Sequence, residues 1–210
     1  MFEEFKNRYL GTTVDVDGAY GGQCVDLFNA WNRDYNGCYI NCAPTGYARS
    51  LAENKQNNGI LNYYNETAIN NMIEGTVVVY GACPFAPVGH VGFFIEDNGN
   101  GTFKCLQQNY NNQQVVTINN NPYSGIIGAF IPKQVQEEFN RKMEEAKENE
   151  LKSVEPEVDI LTLVKRTIRG DFGNGEERKQ HLGQYYDEVR RQVNLNYQHG
   201  TTNWDNIRLY

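Results

Sequence analysis

Along the first 130 or so residues the spacing of apolar positions switches from helical to strand-like. Phe2, Phe5, Tyr9 and Leu10 mark one helical face, and Leu27, Phe28 and Trp31 mark another across Cys24 to Tyr35. Later runs are rich in β-branched and aromatic residues and are bounded by Gly, Asn and Pro. They cover Thr76 to Tyr80, His90 to Ile95, Thr102 to Gln107, Gln114 to Ile118 and Ile126 to Ile131. Asp97-Asn98-Gly99-Asn100-Gly101 supplies hairpin turn chemistry between two of these runs. Helices followed by an antiparallel meander predict an α+β domain over residues 1–133.

The pattern then changes. Residues 134–156 are almost wholly polar, with Gln136-Glu137-Glu138, Arg141-Lys142, Glu144-Glu145 and Lys147-Glu148, and lack an apolar stripe that would dock a helix on a core. This predicts a solvated helical linker stiffened by side-chain pairs and ended by Pro156. Over residues 157–210 helical spacing returns, with Leu161, Val164 and Ile168 on one face and Leu182, Tyr186, Val189 and Val193 on another. Between them Asn174 is placed to cap a helix, with Glu177 three residues on to close a capping box. So short a segment has a marginal core, for which oligomerisation or contact with the linker offers support.

A length of 210 residues suits one ordinary domain and a smaller one. A net charge of −7 argues against a nucleic-acid partner, which calls for an excess of Lys and Arg. No run of about 18 apolar residues is present, so membrane insertion is not expected. Acids in Met1-Phe2-Glu3-Glu4-Phe5-Lys6 stand where a signal peptide needs bases, so no signal peptide is expected. The five cysteines are an odd number, and Cys38 and Cys42 have no second ligand pair following them, which favours free thiols over disulfides or a metal knot.

The densest chemistry lies in Val14-Asp15-Val16-Asp17-Gly18-Ala19-Tyr20-Gly21-Gly22-Gln23-Cys24-Val25-Asp26. Cys24 sits where a Gly-rich loop meets a helix start, whose dipole favours a thiolate. Of the three histidines, His90 in Gly89-His90-Val91-Gly92 opens a strand, whereas His181 and His199 lie in polar C-terminal surroundings. The following strand ends in Leu106-Gln107-Gln108-Asn109-Tyr110, where strand alternation puts Gln107 and Asn109 on one face, so either amide oxygen can hold the imidazole. Asp15-x-Asp17-Gly18 looks like the front of an EF-hand loop, but Gly18 falls at position four rather than six, and a turn with two solvated acids is the plain alternative.

Gly22-Gln23-Cys24-Val25-Asp26, Glu74-Gly75-Thr76-Val77-Val78, Gly89-His90-Val91-Gly92 and Gln107-Gln108-Asn109-Tyr110 together resemble the CHAP family, the cysteine, histidine-dependent amidohydrolase/peptidases, over residues 12–131. The resemblance implies a papain-like, NlpC-like fold, with Cys24 as nucleophile on a peptidoglycan amide and His90 as general base, then acid. Gln23 or the Cys24 N–H is the implied oxyanion donor. Members often carry Glu where Gln107 stands, so Asn109 is taken as the principal partner of His90 and Gln107 as auxiliary. The resemblance also implies Ca2+ held by Asp15, Asp17, the Ala19 and Gly21 carbonyls and Asp26, and no organic cofactor.

Gly170-Asp171-Phe172-Gly173-Asn174-Gly175-Glu176-Glu177-Arg178-Lys179, with Leu182, Tyr186-Asp187, Val189 and Val193-Asn194, is similar to the CW-seven repeat, a three-helix cell-wall-binding module. The implied ligand is a muropeptide, with Phe172 stacking on sugar and Arg178 pairing a carboxylate. Balanced charge beyond residue 156, with eight Lys/Arg and eight Asp/Glu, makes bulk attraction to wall polymers a poor mechanism. Together these resemblances imply an endolysin of a Gram-positive host, kept in the cytoplasm until holin-mediated release to the wall. The scissile linkage, MurNAc–L-Ala or a peptide bond of the stem or crossbridge, is left open. The alternative is a weakly active or non-catalytic wall-binding virion protein, favoured by Gln107. Met143 offers an internal start that would yield a free binding module.

Overall fold

The computed structural model describes residues 1–83, 86–154 and 158–210, with side chains described outside 151–157. It divides into two compact units, Met1–Glu144 and Glu145–Tyr210. In the first, α1 (Phe2–Tyr9) and α2 (Cys24–Trp31) put their apolar faces on one side of a sheet. Phe2, Phe5 and Trp31 meet Phe93 there, with ring centroids 5.5–5.8 Å apart. After Trp31 the helix widens into a π-helical turn, Asn32–Asn36, ended by Gly37. The Asn32 side chain accounts for this local change: its amide donates to the Phe28 carbonyl, and its oxygen accepts from the Tyr64 hydroxyl at 2.9 Å.

Two helical turns, α3 (Ser50–Glu53) and α4 (Ile60–Tyr63), lead into the sheet. Its strands are β1 (Tyr64–Glu66), β2 (Val77–Tyr80), β3 (His90–Asp97), β4 (Thr102–Gln107), β5 (Thr117–Pro122) and β6 (Ile126–Pro132). They pair antiparallel in the order β1-β6-β2-β3-β4-β5. Along β2, Val77 and Val79 join the main core, while Val78 and Tyr80 join a second cluster with Phe94, Phe103 and Cys105. Both faces of this central strand are covered, so it reads as an unbroken apolar run. The registers that matter place Tyr80 opposite His90 and Gly92 opposite Gln107.

Two expectations are corrected. The fifth strand is Thr117–Pro122, not Gln114–Ile118, because Val116 instead exchanges backbone hydrogen bonds with Gly11 and Thr12. The helix α5 (Lys133–Val154) also starts docked rather than fully solvated: Val135 is in the core, Gln134 binds Asn36, and Glu138 pairs with the amino terminus. Pro156, expected to end it, lies outside the described residues. Among the described residues no helix is long and apolar enough to cross a membrane.

The second unit contains α6 (Ile160–Arg169), α7 (Glu176–Leu182) and α8 (Tyr186–Gln198). Asp159 caps α6, and Gly170, at φ 94°, takes the left-handed conformation that ends it. Gly175, not Asn174, occupies the cap position of α7, because the Asn174 oxygen accepts from Arg178. The small core of Val164, Phe172, Leu182, Val189 and Val193 is completed by Ile207 of the tail. That tail folds back on α8 through paired amides: Asn196 exchanges hydrogen bonds with the Arg208 backbone, and Gln192 does the same with Tyr210.

Candidate active site

Cys24 is the first residue of α2, and His90 is the first of β3. The Cys24 thiol lies half-buried in a cleft of about 480 Å³ whose lining includes Tyr20, Gln23, Tyr47 and Gly89. Burial pushes the thiol up to about 11, while backbone N–H groups, that of Val91 foremost, pull the other way. The sulfur therefore meets β3 one residue past His90, with the N–H groups of Val25 and Cys24 itself also favouring the thiolate.

His90 is buried, its ring between Tyr80 and Tyr110. Its Nε2 lies 2.9 Å from Gln107 Oε1. An amide oxygen accepts only, so Nε2 carries the proton and Nδ1 is the basic nitrogen. Burial pulls the imidazole down to about 4, with the Gln107 bond a smaller opposing influence. Gln107 is itself held: Asn121 donates to its oxygen at 2.9 Å, and its Nε2 donates to Asn121 at 2.9 Å and to Asn119 at 3.3 Å. Neither asparagine stands out in the sequence, where Ile118-Asn119-Asn120-Asn121 reads as turn-forming. Only the β4–β5 register, with Cys105 opposite Asn119 and Phe103 opposite Asn121, places them behind Gln107.

Asn109 does not reach the imidazole. The strand ends at Gln107, and Asn109 adopts φ 61°, which breaks the alternation that would have kept the two amides on one face. It donates instead to Gln23 Oε1 at 2.7 Å, while Gln23 Nε2 donates to the Tyr20 carbonyl. Gln108, on the opposite face, ties the site together: its amide bonds both the N–H and the carbonyl of Val14 and also the Gln23 carbonyl. Two glycines are required by close approach. At Gly89 (φ 85°) a Cβ would lie 2.7 Å from Arg49 Cβ, and at Gly92 it would lie 2.5 Å from Cys105 Sγ and 3.1 Å from Gln107 Cβ.

Ahead of Cys24, one carboxylate oxygen from each of Asp15, Asp17 and Asp26 lies within 4.8 Å of the others, forming an acidic triad that could hold a metal ion. Asp26 accepts from the Val16 and Gln23 N–H groups, which fixes it to the start of α2. Its carboxyl is raised chiefly by burial, against the pull of those N–H groups, and further by the charges of Asp17 and Asp15. A cation would relieve that repulsion. Oxygens coordinated to one Ca2+ at about 2.3–2.6 Å lie at most about 5 Å apart, so the donor set fits a hard divalent ion.

In the second unit the expected wall-binding residues are engaged in the fold. Phe172 is 8% exposed and covered by the Arg166 guanidinium at 4.6 Å, and Arg178 donates twice to the Gly173 carbonyl, at 2.9 and 2.7 Å.

Residues 13–109 match the CHAP domain family, and residues 162–196 match the CW_7 repeat. Over 109 residues the chain is 37% identical to a D-alanyl-L-alanine endopeptidase of Streptococcus phage B30, an overlap of 51% of this chain and 24% of that protein. The crystal structure of the wild-type endolysin LysIME-EF1 superposes with a TM-score of 0.50 at 27% identity, covering 62% of each chain. The chain thus spans under two thirds of the length of either relative. It carries a CHAP domain followed, toward its C-terminus, by a CW_7 repeat.

Proposed function

We propose that this chain is an endolysin that hydrolyses an amide of Gram-positive peptidoglycan, with Cys24 as nucleophile. The observation that carries the reading is the convergence of the Cys24 thiol, at a helix start, on the strand that presents His90, with Gln107 holding the far side of the ring. The sulfur attacks the carbonyl carbon as its proton passes to His90 Nδ1. The C–N bond then breaks, and that proton goes to the leaving amine. Water, deprotonated by the same nitrogen, releases the acid from the thioester, and the proton returns to the sulfur. Gln23 and the Cys24 N–H stabilise the oxyanion, with Asn109 steadying Gln23 through the 2.7 Å bond.

Asp15, Asp17 and Asp26 would hold Ca2+, completed by the Ala19 and Gly21 carbonyls, and the ion would clamp the loop to the catalytic helix. The C-terminal unit directs the enzyme to the wall, which the chain reaches when a holin opens the membrane. A virion protein that binds wall without cleaving it is the competing reading, and the uncharged Gln107 favours it. Turbidity loss of host cells or purified walls tests the choice. Cleavage by the parent and none by Cys24→Ala supports hydrolysis; equal turbidity loss by both, or none by either, rejects it. Mass spectrometry of the digest then names the cleaved linkage from its new amino termini.

A further inference from the structure

With Phe172 buried and Arg178 bonded to its own loop, the C-terminal unit presents a different aromatic and cationic group to solvent. Trp204, in the tail beyond the matched repeat, is 46% exposed. Lys165 Nζ lies 5.2 Å and the Arg169 guanidinium carbon 5.1 Å from its ring centroid, and these two cations sit one helical turn apart on α6. The indole is not what anchors the tail. Ile207 enters the core, the backbone of residues 208 and 210 is bonded to Asn196 and Gln192, and Trp204 is absent from the apolar cluster of this unit. The indole packs against the two cations of α6 and is otherwise open to solvent.

The neighbouring charges point to the ligand. Arg169 is fixed by bonds to Asp171, which also accepts from Arg166. Lys165 meets the indole, and its charge also acts on the Asp159 carboxylate. An oriented guanidinium, an ammonium and a flat indole match a ring with an apolar C–H face that also carries an anion. We propose that Trp204, Lys165 and Arg169 form a binding site for a carboxylated sugar, separate from Phe172 and Arg178. On the proposed activity at peptidoglycan, on which the choice of ligand rests, the muramic acid unit with its peptide carboxylates meets that description.

The full chain contains two tryptophans, and Trp31 is fully buried, so a ligand-induced change in fluorescence reports Trp204. Full-length Cys24→Ser protein is titrated with soluble GlcNAc-MurNAc-dipeptide, with neutral chitotriose and with poly(glycerol phosphate), by fluorescence and calorimetry. The proposal expects saturable binding of the muropeptide with an emission change, and clearly weaker binding of chitotriose. Trp204→Ala should weaken the muropeptide about tenfold or more, as for loss of an aromatic stacking platform. Lys165→Gln should weaken it several-fold and reduce its salt dependence. Parent-like affinity in folded Trp204→Ala and Lys165→Gln overturns the site, as does equal binding of chitotriose or preferential binding of poly(glycerol phosphate). Turbidity loss by the Cys24-containing parent is scored in a separate assay. Failure of binding is thereby separated from failure of catalysis.

Discussion

Replacing Gln107 with Glu tests what holds the imidazole in its charge state. In the parent, burial pulls His90 down from 6.5 to about 4, and the partner at 2.9 Å is a neutral amide. A carboxylate at that separation favours imidazolium by about 1–3 pKa units, or roughly 1.4–4 kcal/mol at 1.36 kcal/mol per unit. His90 in Gln107→Glu should therefore titrate between about 5 and 7. The gain is opposed locally: the second carboxylate oxygen would face the Asn121 and Asn119 oxygens that now accept from Gln107 Nε2, a loss of about 1–3 kcal/mol in stability. Ring-proton NMR of the three histidines against pH measures the first effect, and thermal melting measures the second. The parent sets the baseline. Its folded-state value lies below the unfolded one, so the unfolded chain takes up the proton first. The contribution of His90 to stability is whole above pH 6.5 and is lost as pH falls toward 4, by about 3 kcal/mol. A folded Gln107→Glu protein whose His90 still titrates near 4 would refute the claim that a charge at position 107 can offset the burial of the ring.

Three further outcomes follow from the same geometry. Gly92→Ala drives a methyl group toward Cys105 Sγ and Gln107, so it should cost about 1–3 kcal/mol in thermal stability and lower kcat by about tenfold or more; wild-type melting and turnover would contradict the close approach. Calcium at about one hundred times its Kd should stabilise the first unit by about 2.7 kcal/mol, and Asp15→Ala should remove the gain; identical melting curves with calcium and with EDTA would exclude the ion. Alkylation of Cys24 by iodoacetamide, followed on its own peptide by mass spectrometry, should rise about tenfold per pH unit from 6 to 9, since the thiol is pushed to about 11; a plateau at neutral pH would mean a preformed thiolate.

The elements most legible in the sequence are those whose apolar side chains fill the core. The runs at β2, β3, β4 and β6 are visible because burial selects Val, Phe and Ile there, and the Cys24 helix because Leu27, Phe28 and Trp31 share a face. The strands that escape notice are polar for a reason. β5 fills inward positions with Asn119 and Asn121, whose work is to bond Gln107, and β1 is a three-residue edge strand, Tyr64–Glu66. Cys24, His90 and Gln107 were visible as a constellation because helix start, strand start and strand end are positions that a pattern locates. Which amide meets the ring was not, because it turns on the backbone of Asn109, whose φ of 61° no periodicity announces. Phe172 misled similarly. Its motif marks a turn, but the chain around Gly170 and Gly173 folds it inward, and the indole left outside comes from a tail without recognisable pattern.

An uncharged partner for His90 does not by itself disable such a site. Moving the proton from a thiol at about 11 to an imidazole at about 4 is uphill by roughly 9–10 kcal/mol when each group is taken alone. For charges about 4 Å apart, attraction would return about 4 kcal/mol at the effective dielectric suited to protein sites. On the proposed mechanism the remaining cost of about 5 kcal/mol favours a neutral resting pair, with proton transfer accompanying attack instead of preceding it. Turnover at roughly 1–1000 per second corresponds to a barrier of about 13–17 kcal/mol, which leaves room for that cost. A carboxylate at position 107 would reduce it by the 1–3 units worked out above. On the proposed mechanism burial keeps the pair neutral at rest, the Gln107–Asn121 pair holds the far side of the ring, and Gly92 leaves that pair the room it needs.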